Sequence, residues 1–154
     1  MDRGSLTARI QARCAAFHVK LLFQGARRAN RDERILGAAR GAREVLVREV
    51  CLYCRTSPVV FAHSVLRRRE LRGPWRSLAR LGARPLGAAL FANPRVRRYP
   101  LKFRKLDARD ELHARARAVL GARLPALWAR RSLFTLRGSP ILVTEVFLPG
   151  ILKL

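Results

Sequence analysis

Acidic side chains are scarce in this sequence: ten Asp and Glu stand against 33 Lys and Arg, giving a formal net charge of +23 over 154 residues. Long apolar runs are missing too. None approaches the ~20 residues of a membrane-spanning helix, so membrane insertion is not expected. Three cysteines are too few for a disulfide scaffold. The closest pair, Cys51 and Cys54 in "CLYC", has no second pair or histidine run with which to complete a tetrahedral metal site. It also ends a strand-like run, whereas redox C-x-x-C pairs belong at a helix N-terminus. No metal site or redox pair is therefore expected, and Cys14, Cys51 and Cys54 read as reduced thiols. The opening "MDRGSLTARIQARC" begins with an acid and lacks the apolar centre of a secretory signal. A soluble cytoplasmic protein is the expectation.

What is abundant is arginine: 29 of the 33 basic residues are Arg and four are Lys. Clustered cations bind phosphates without regard to sequence. Here they spread along the chain amid Ala, Leu and Gly, with only short clusters in "LRRRELR" and "RVRRYPLKFRK". No zinc-finger spacing, single-strand-binding aromatic pattern or helix-turn-helix accompanies them, which argues against a nucleic-acid partner. Attraction of small anions is the safer consequence of the charge.

At 154 residues the chain suits one domain with one core. Ser5 can cap a short helix over "LTARIQARC", and "FHVKLLFQG" then alternates apolar and polar residues as a half-buried strand. Residues 26–42 read mainly as a connection, with "DERIL" extended. "EVLVREVCLY" and "VVFAHSVL" form an antiparallel hairpin through "CRTSP". Between residues 73 and 91, Gly73-Pro74 and Pro85 mark the starts of two short helices and Gly82 a stop. "VRRYPLKFRKLD" reads as a further strand carrying Tyr99, Leu101 and Phe103, and Asp107 is placed to cap a helix through "ARDELHARARAVLGA". "SLFTL" and "ILVTEVFL" close the chain as a second hairpin across "RGSP". With strands at both ends and helices between, the expected class is α+β with a mainly antiparallel sheet.

Two strands carry charges into apolar surroundings. Period-two alternation puts Glu145 on a face with Ile141, Val143 and Phe147, while the opposite face is apolar as well. On the second strand Arg48 shares a face with Leu46, Val50 and Leu52, and Glu49 the other with Val45, Val47 and Cys51. Two readings stay open. One is a buried ion pair, either Arg48 with Glu145 or one of them with another charge, although such pairs are weakly explained by stability alone. The other is a closed anion site, in which a guanidinium binds a ligand carboxylate and the carboxylate faces the ligand's other end. Burial would raise the pKa of such a glutamate and suit it to proton transfer.

The blocks "LWARRSLFTLRGSPILVTEVFLPG", "VLVREVCLY", "GARPLGAALF" and "GSLT" together closely resemble the chorismate lyase family, in the family's order and across residues 4–150. The resemblance implies a single α+β domain over residues 1–154, an antiparallel sheet with helices covering a buried ligand site. It also implies cofactor-independent conversion of chorismate to 4-hydroxybenzoate and pyruvate, the first committed step of ubiquinone biosynthesis. Arg48 matches the arginine that binds the ring carboxylate, and Glu145 the glutamate at the 4-hydroxyl end. Leu6 and Leu86 match positions lining the site that can offer backbone N–H groups, with Gly87 allowing a close approach. Arg130 or Arg131 is expected to meet the enolpyruvyl carboxylate, against the alternative that both are exposed strand-entrance charges. The basic linker from Ala92 to Ala126 is assigned no catalytic part. Members usually carry a helical segment ahead of the "SLT" block, where this sequence has Met1 to Gly4. The competing expectation is a non-catalytic sensor for small aromatic acids, since effector domains of some transcription regulators are similar to this fold.

Overall fold

The structure is a computed structural model that describes residues 5–30, 33, 44–121 and 123–154. Most of the connection expected over 26–42, including its extended stretch, lies outside the described residues. Where it is described it differs from expectation, because the first strand runs on to Arg28.

Seven strands are described in one antiparallel sheet: β1 (Phe17–Arg28), β2 (Glu44–Cys54), β3 (Ser57–Arg67), β4 (Arg97–Arg98), β5 (Lys102–Leu106), β6 (Leu127–Leu136) and β7 (Ser139–Phe147). Their order is β1-β2-β3-β7-β6-β4, and β5 pairs with β6 further along the same edge. The hairpins are built as expected. At the β6–β7 turn Arg137 and Gly138 both hold positive φ, 50° and 80°, the left-handed pair whose twist matches the flanking strands. The single strand read from "VRRYPLKFRKLD" is instead two, because Pro100 lacks the N–H that a continuous ladder needs.

Among the described residues three α-helices accompany the sheet: α1 (Leu6–Arg13), α2 (Leu86–Ala92) and α3 (Glu111–Leu120). Ser5 caps α1 by accepting from the Ala8 N–H at 3.4 Å. The residue at the N-cap position of α3 is Asp110 rather than Asp107, and it makes no side-chain capping hydrogen bond; the Asp107 side chain accepts from Arg109 N at 2.9 Å in a local turn. The first of the two helices expected over 73–91 is replaced by tight 3-10 turns at Arg68–Arg72 and Arg76–Arg80.

The sheet separates two interiors. On one face Cys51, Phe61, Leu127, Ala129 and Val146 pack with Leu112 and Ala116 of α3. On the other, Leu66, Phe134, Ile141 and Val143 pack under Trp75, Leu78, Leu86 and Leu90 of the 3-10 turns and α2. Ile10 of α1 closes the same face over Val50, Leu52 and Val60. Trp75 ties this covering layer to β7, donating from its indole to Ser139 O at 2.8 Å.

The α3 face also absorbs a charge cluster. Glu49 and Glu33 clasp His63 from either side, at 2.7 Å to Nδ1 and 2.6 Å to Nε2. Arg27 and Arg115 donate to Glu49 at 2.8 and 3.0 Å. Burial alone pulls His63 down, but its two carboxylate hydrogen bonds outweigh that and hold it above its usual value. Burial likewise pushes Glu33 and Glu49 up, and the histidine and arginines bring both below the usual carboxylate range. His63 therefore contributes stability fully present below its unfolded pKa and lost as pH rises through the raised folded one. The carboxylates contribute stability lost as pH falls through their lowered values. His63→Leu is expected to cost about 3–5 kcal/mol by leaving two buried carboxylates facing each other. In urea melts across pH it should also remove the alkaline decline; an unchanged pH profile would count against the assignment.

One cysteine expectation is overturned. Cys14 and Cys54 form a disulfide, with Cα atoms 5.9 Å apart, while Cys51 stays a buried free thiol. The cause is sheet register: Phe17 pairs with Cys54, so the end of α1 is brought beside the end of β2. Closing a loop of sequence separation 40 is worth up to about 4 kcal/mol. Thiol titration of denatured protein is expected to count one reactive group without reductant and three with it. The double variant Cys14→Ser, Cys54→Ser should unfold at lower denaturant.

Candidate active site

Arg48 and Glu145 lie on the covered face, two strands apart and out of register. One row of paired residues crosses the sheet as Val50, Ala62, Glu145 and Arg130; the next runs Arg48, Ser64, Val143 and Ser132. Ala62, Ser64 and Ser132 are small where the pleated surface otherwise carries bulky side chains, so a hollow is left above the sheet between the two charges. Ser5, Leu6 and Thr7 of the α1 end and Pro85, Leu86 and Gly87 of the α2 end close it from above. Leu6 and Leu86 are each the first residue of a helix, where backbone N–H groups have no intrahelical acceptor. The absence of a side chain at Gly87 lets the ends meet: a Cβ there would come within 3.1 Å of Ser5 Oγ.

Arg48 is 7% exposed. Its Nη2 donates to Gly82 O and Arg84 O, both at 2.8 Å, while its Nε is buried with no hydrogen-bond partner. A buried donor left unmade costs about 1–3 kcal/mol, more when charged. Gly82 holds φ at +58°, the left-handed conformation that turns this loop back toward the arginine.

Glu145 is paired with Arg130, its cross-strand neighbour, not with Arg48. Nε and Nη2 of Arg130 donate to the two carboxylate oxygens at 3.1 and 3.3 Å. Burial pushes the Glu145 carboxyl above its usual range, and the Arg130 and Arg98 charges only partly oppose it. Of the two candidate arginines, Arg130 therefore faces the hollow. Arg131 points to the other side of the sheet, where its Nε donates to Thr144 Oγ1 at 2.9 Å. A charge at that point acts on Glu33, not on the site.

Sequence reasoning missed other wall residues, among them Phe91, Phe134 and Arg98. The basic linker, assigned no catalytic part, supplies Arg98 from β4. Its Nη2 lies 3.5 Å from Ser132 Oγ, and its guanidinium sits 5.1 Å from the Phe91 ring centre and 5.6 Å from that of Phe134. Nothing in the sequence marked these side chains as a wall: Arg98 is one of 29 arginines and Phe91 an apolar position of a short helix.

The enclosed volume is about 50 Å³, well below the roughly 300–1,000 Å³ of small-molecule pockets. Leu6, Phe91, Arg98 and Arg130 also border an open groove of about 1200 Å³. A ring-sized ligand does not fit the enclosed space as it stands.

Comparisons with known sequences agree on one family. A profile described as chorismate lyase matches residues 1–153. A protein of Nitrosospira multiformis named probable chorismate pyruvate-lyase is 54% identical, over 99% of this chain and 86% of that one. One of the same name from Azoarcus sp. is 52% identical over 99% and 83%. Among solved structures, the effector domain of PhnF from Mycobacterium smegmatis superposes with a TM-score of 0.60 at 17% identity, over 97% of this chain and 91% of that one. The ligand-binding domain of a GntR-family regulator from Bordetella bronchiseptica gives 0.58 at 19%, over 86% and 84%. These two show the fold alone.

Proposed function

The chain belongs to the chorismate lyase family, and from that we propose that it converts chorismate to 4-hydroxybenzoate and pyruvate in the hollow between Arg48 and Glu145. The observation that carries the reading is the buried Arg48 guanidinium with an unmade Nε donor, facing a carboxylate of raised pKa across a closed space. A ring carboxylate on Arg48 supplies the missing acceptor with a charge-assisted hydrogen bond. Leu6 and Leu86 add first-turn N–H groups at the cover. The reading takes the enzyme as a cytoplasmic monomer whose product feeds ubiquinone synthesis, with no nucleic-acid partner.

The chemistry asks little of the protein. The C4 proton leaves, its electron pair forms the C3–C4 ring double bond, and the C3–O bond breaks. The departing enolpyruvate takes up a proton and becomes pyruvate, while the ring gains aromaticity, so the driving force lies in the substrate. The site holds a dianion in one geometry away from water. Glu145, with its proton affinity raised by burial and its orientation fixed by Arg130, receives the C4 proton.

Purified protein given chorismate is expected to release 4-hydroxybenzoate and pyruvate in equal amounts. A folded protein that yields neither refutes the lyase reading, and 4-hydroxybenzoate binding without turnover favours the sensor. Arg48→Ala should abolish ligand binding. Glu145→Gln should lower kcat on the order of 100-fold or more while changing 4-hydroxybenzoate affinity far less; equal losses would refute its part in the proton step.

A further inference from the structure

The Cys14–Cys54 disulfide fastens a helix that closes the hollow to the strand that carries Arg48. Ser5, Leu6 and Thr7 at one end of α1 form part of the cover, and Cys14 stands at the other end of the same helix. Little else holds α1 down. It is eight residues long with one buried side chain, Ile10, and a helix so short is marginal without packing. Only Ala15 and Ala16 separate Cys14 from β1, and Ala16 O accepts from the Arg55 N–H at 2.9 Å. With the disulfide made, the chain is fixed on both sides of Ala15. With it broken, Ala15 becomes a pivot. We propose that the Cys14–Cys54 disulfide is a redox latch on the cover, shut when oxidised and released by a dithiol reductant.

The exchange chemistry has a defined point of entry. Cys54 is partly exposed and Cys14 is buried, so an incoming thiolate attacks the Cys54 sulfur. The S–S bond breaks, Cys14 leaves as a thiolate and takes up a proton, and Cys54 is held in a mixed disulfide with the reductant. The second thiol of the reductant, as thiolate, then displaces Cys54. Two electrons pass from the dithiol, which ends as a disulfide, and the protein keeps two thiols. Cys51 takes no part. Three positions from Cys54 on one strand, it faces the opposite side of the sheet, among the α3 contacts, and burial pushes its thiol up to about 11. The latch therefore has two states. In the oxidised one the hollow holds about 50 Å³ and a ring cannot pass. The inference rests on the lyase reading for the identity of the ligand and for a cytoplasmic setting, in which disulfides are seldom permanent.

Protein purified without reductant is compared with the same protein after dithiothreitol, in native buffer. Reduction is expected to speed amide exchange across α1 about 10-fold or more, as a helix that has lost a tether opens locally, while the amides of β3 and β7 keep their protection. Association and release of 4-hydroxybenzoate should both quicken, since a gate changes rates in both directions. The double variant Cys14→Ala, Cys54→Ala should behave as the reduced protein and ignore dithiothreitol. Equal α1 exchange in the two states overturns the proposal. So does protection lost evenly across the sheet, which is what a general staple would give. Faster α1 exchange with unchanged rates for a ligand that binds also overturns it, as does a double variant that still answers to dithiothreitol. If chorismate is not turned over and 4-hydroxybenzoate does not bind, the lyase reading fails, and the α1 exchange still decides the latch.

Discussion

A guanidinium beneath two helix ends and above a sheet survives only if the backbone turns acceptors toward it, and Arg48 is held by two carbonyls of one short loop. Removing such an ion from water costs several kcal/mol before pairing recovers any of it. Gly82 O and Arg84 O recover part. To do so the loop must pass through the left-handed conformation at Gly82, and Pro85 then starts α2 with Leu86 over the hollow. The contact that makes Arg48 tolerable is thus the same one that sets the covering helix in place. Arg84 secures the loop from the other side, its side chain folding back onto Leu81 O and Arg80 O at 3.1 and 2.7 Å.

The second constraint is that Arg48 and Glu145 must not meet. Strand register keeps them on different rows with Ala62 and Ser64 between, and Arg130 satisfies Glu145 from the adjacent strand. Had the two paired, the hollow would have closed on a buried ion pair. The regulator effector domains share the architecture at TM-scores near 0.6, and a fold of this kind serves binding as readily as catalysis. What leans toward chemistry here is local: a carboxylate whose proton affinity is raised by burial and whose position is fixed by two hydrogen bonds.

Strand periodicity was enough to find the hairpins, the class and the two misplaced charges, because a buried face imposes period two on its residues whatever they touch. It could not decide what Glu145 touches, since Arg130 becomes its neighbour only through the β6–β7 register. Nor did it separate Arg130 from Arg131, because the strand was read to begin at Ser132 and β6 in fact starts at Leu127. Arg98 was hidden differently, in a Pro-interrupted linker whose two-residue strand is too short to show a period. The disulfide was invisible because Cys14 and Cys54 are joined by sheet pairing, not by spacing. Asp107 was read as the cap, but its carboxylate turns to Arg109 N instead, a local-turn contact that helix periodicity does not show.

The two faces of the sheet carry the same residue types to opposite effect. Under α3, Glu49 is met by His63, Arg27 and Arg115, and His63 has both ring nitrogens bonded. Every one of these contacts strengthens its neighbour in a low-dielectric interior, so the cluster acts as a fastening. On the covered face Arg48 keeps a buried donor unmade beside a hollow. That arrangement is costly in the protein alone and is relieved by an acceptor from outside. Burial of charge was the common signal in the sequence. The state of its hydrogen bonds is what separates a structural cluster from a binding site, and only the folded register settles it.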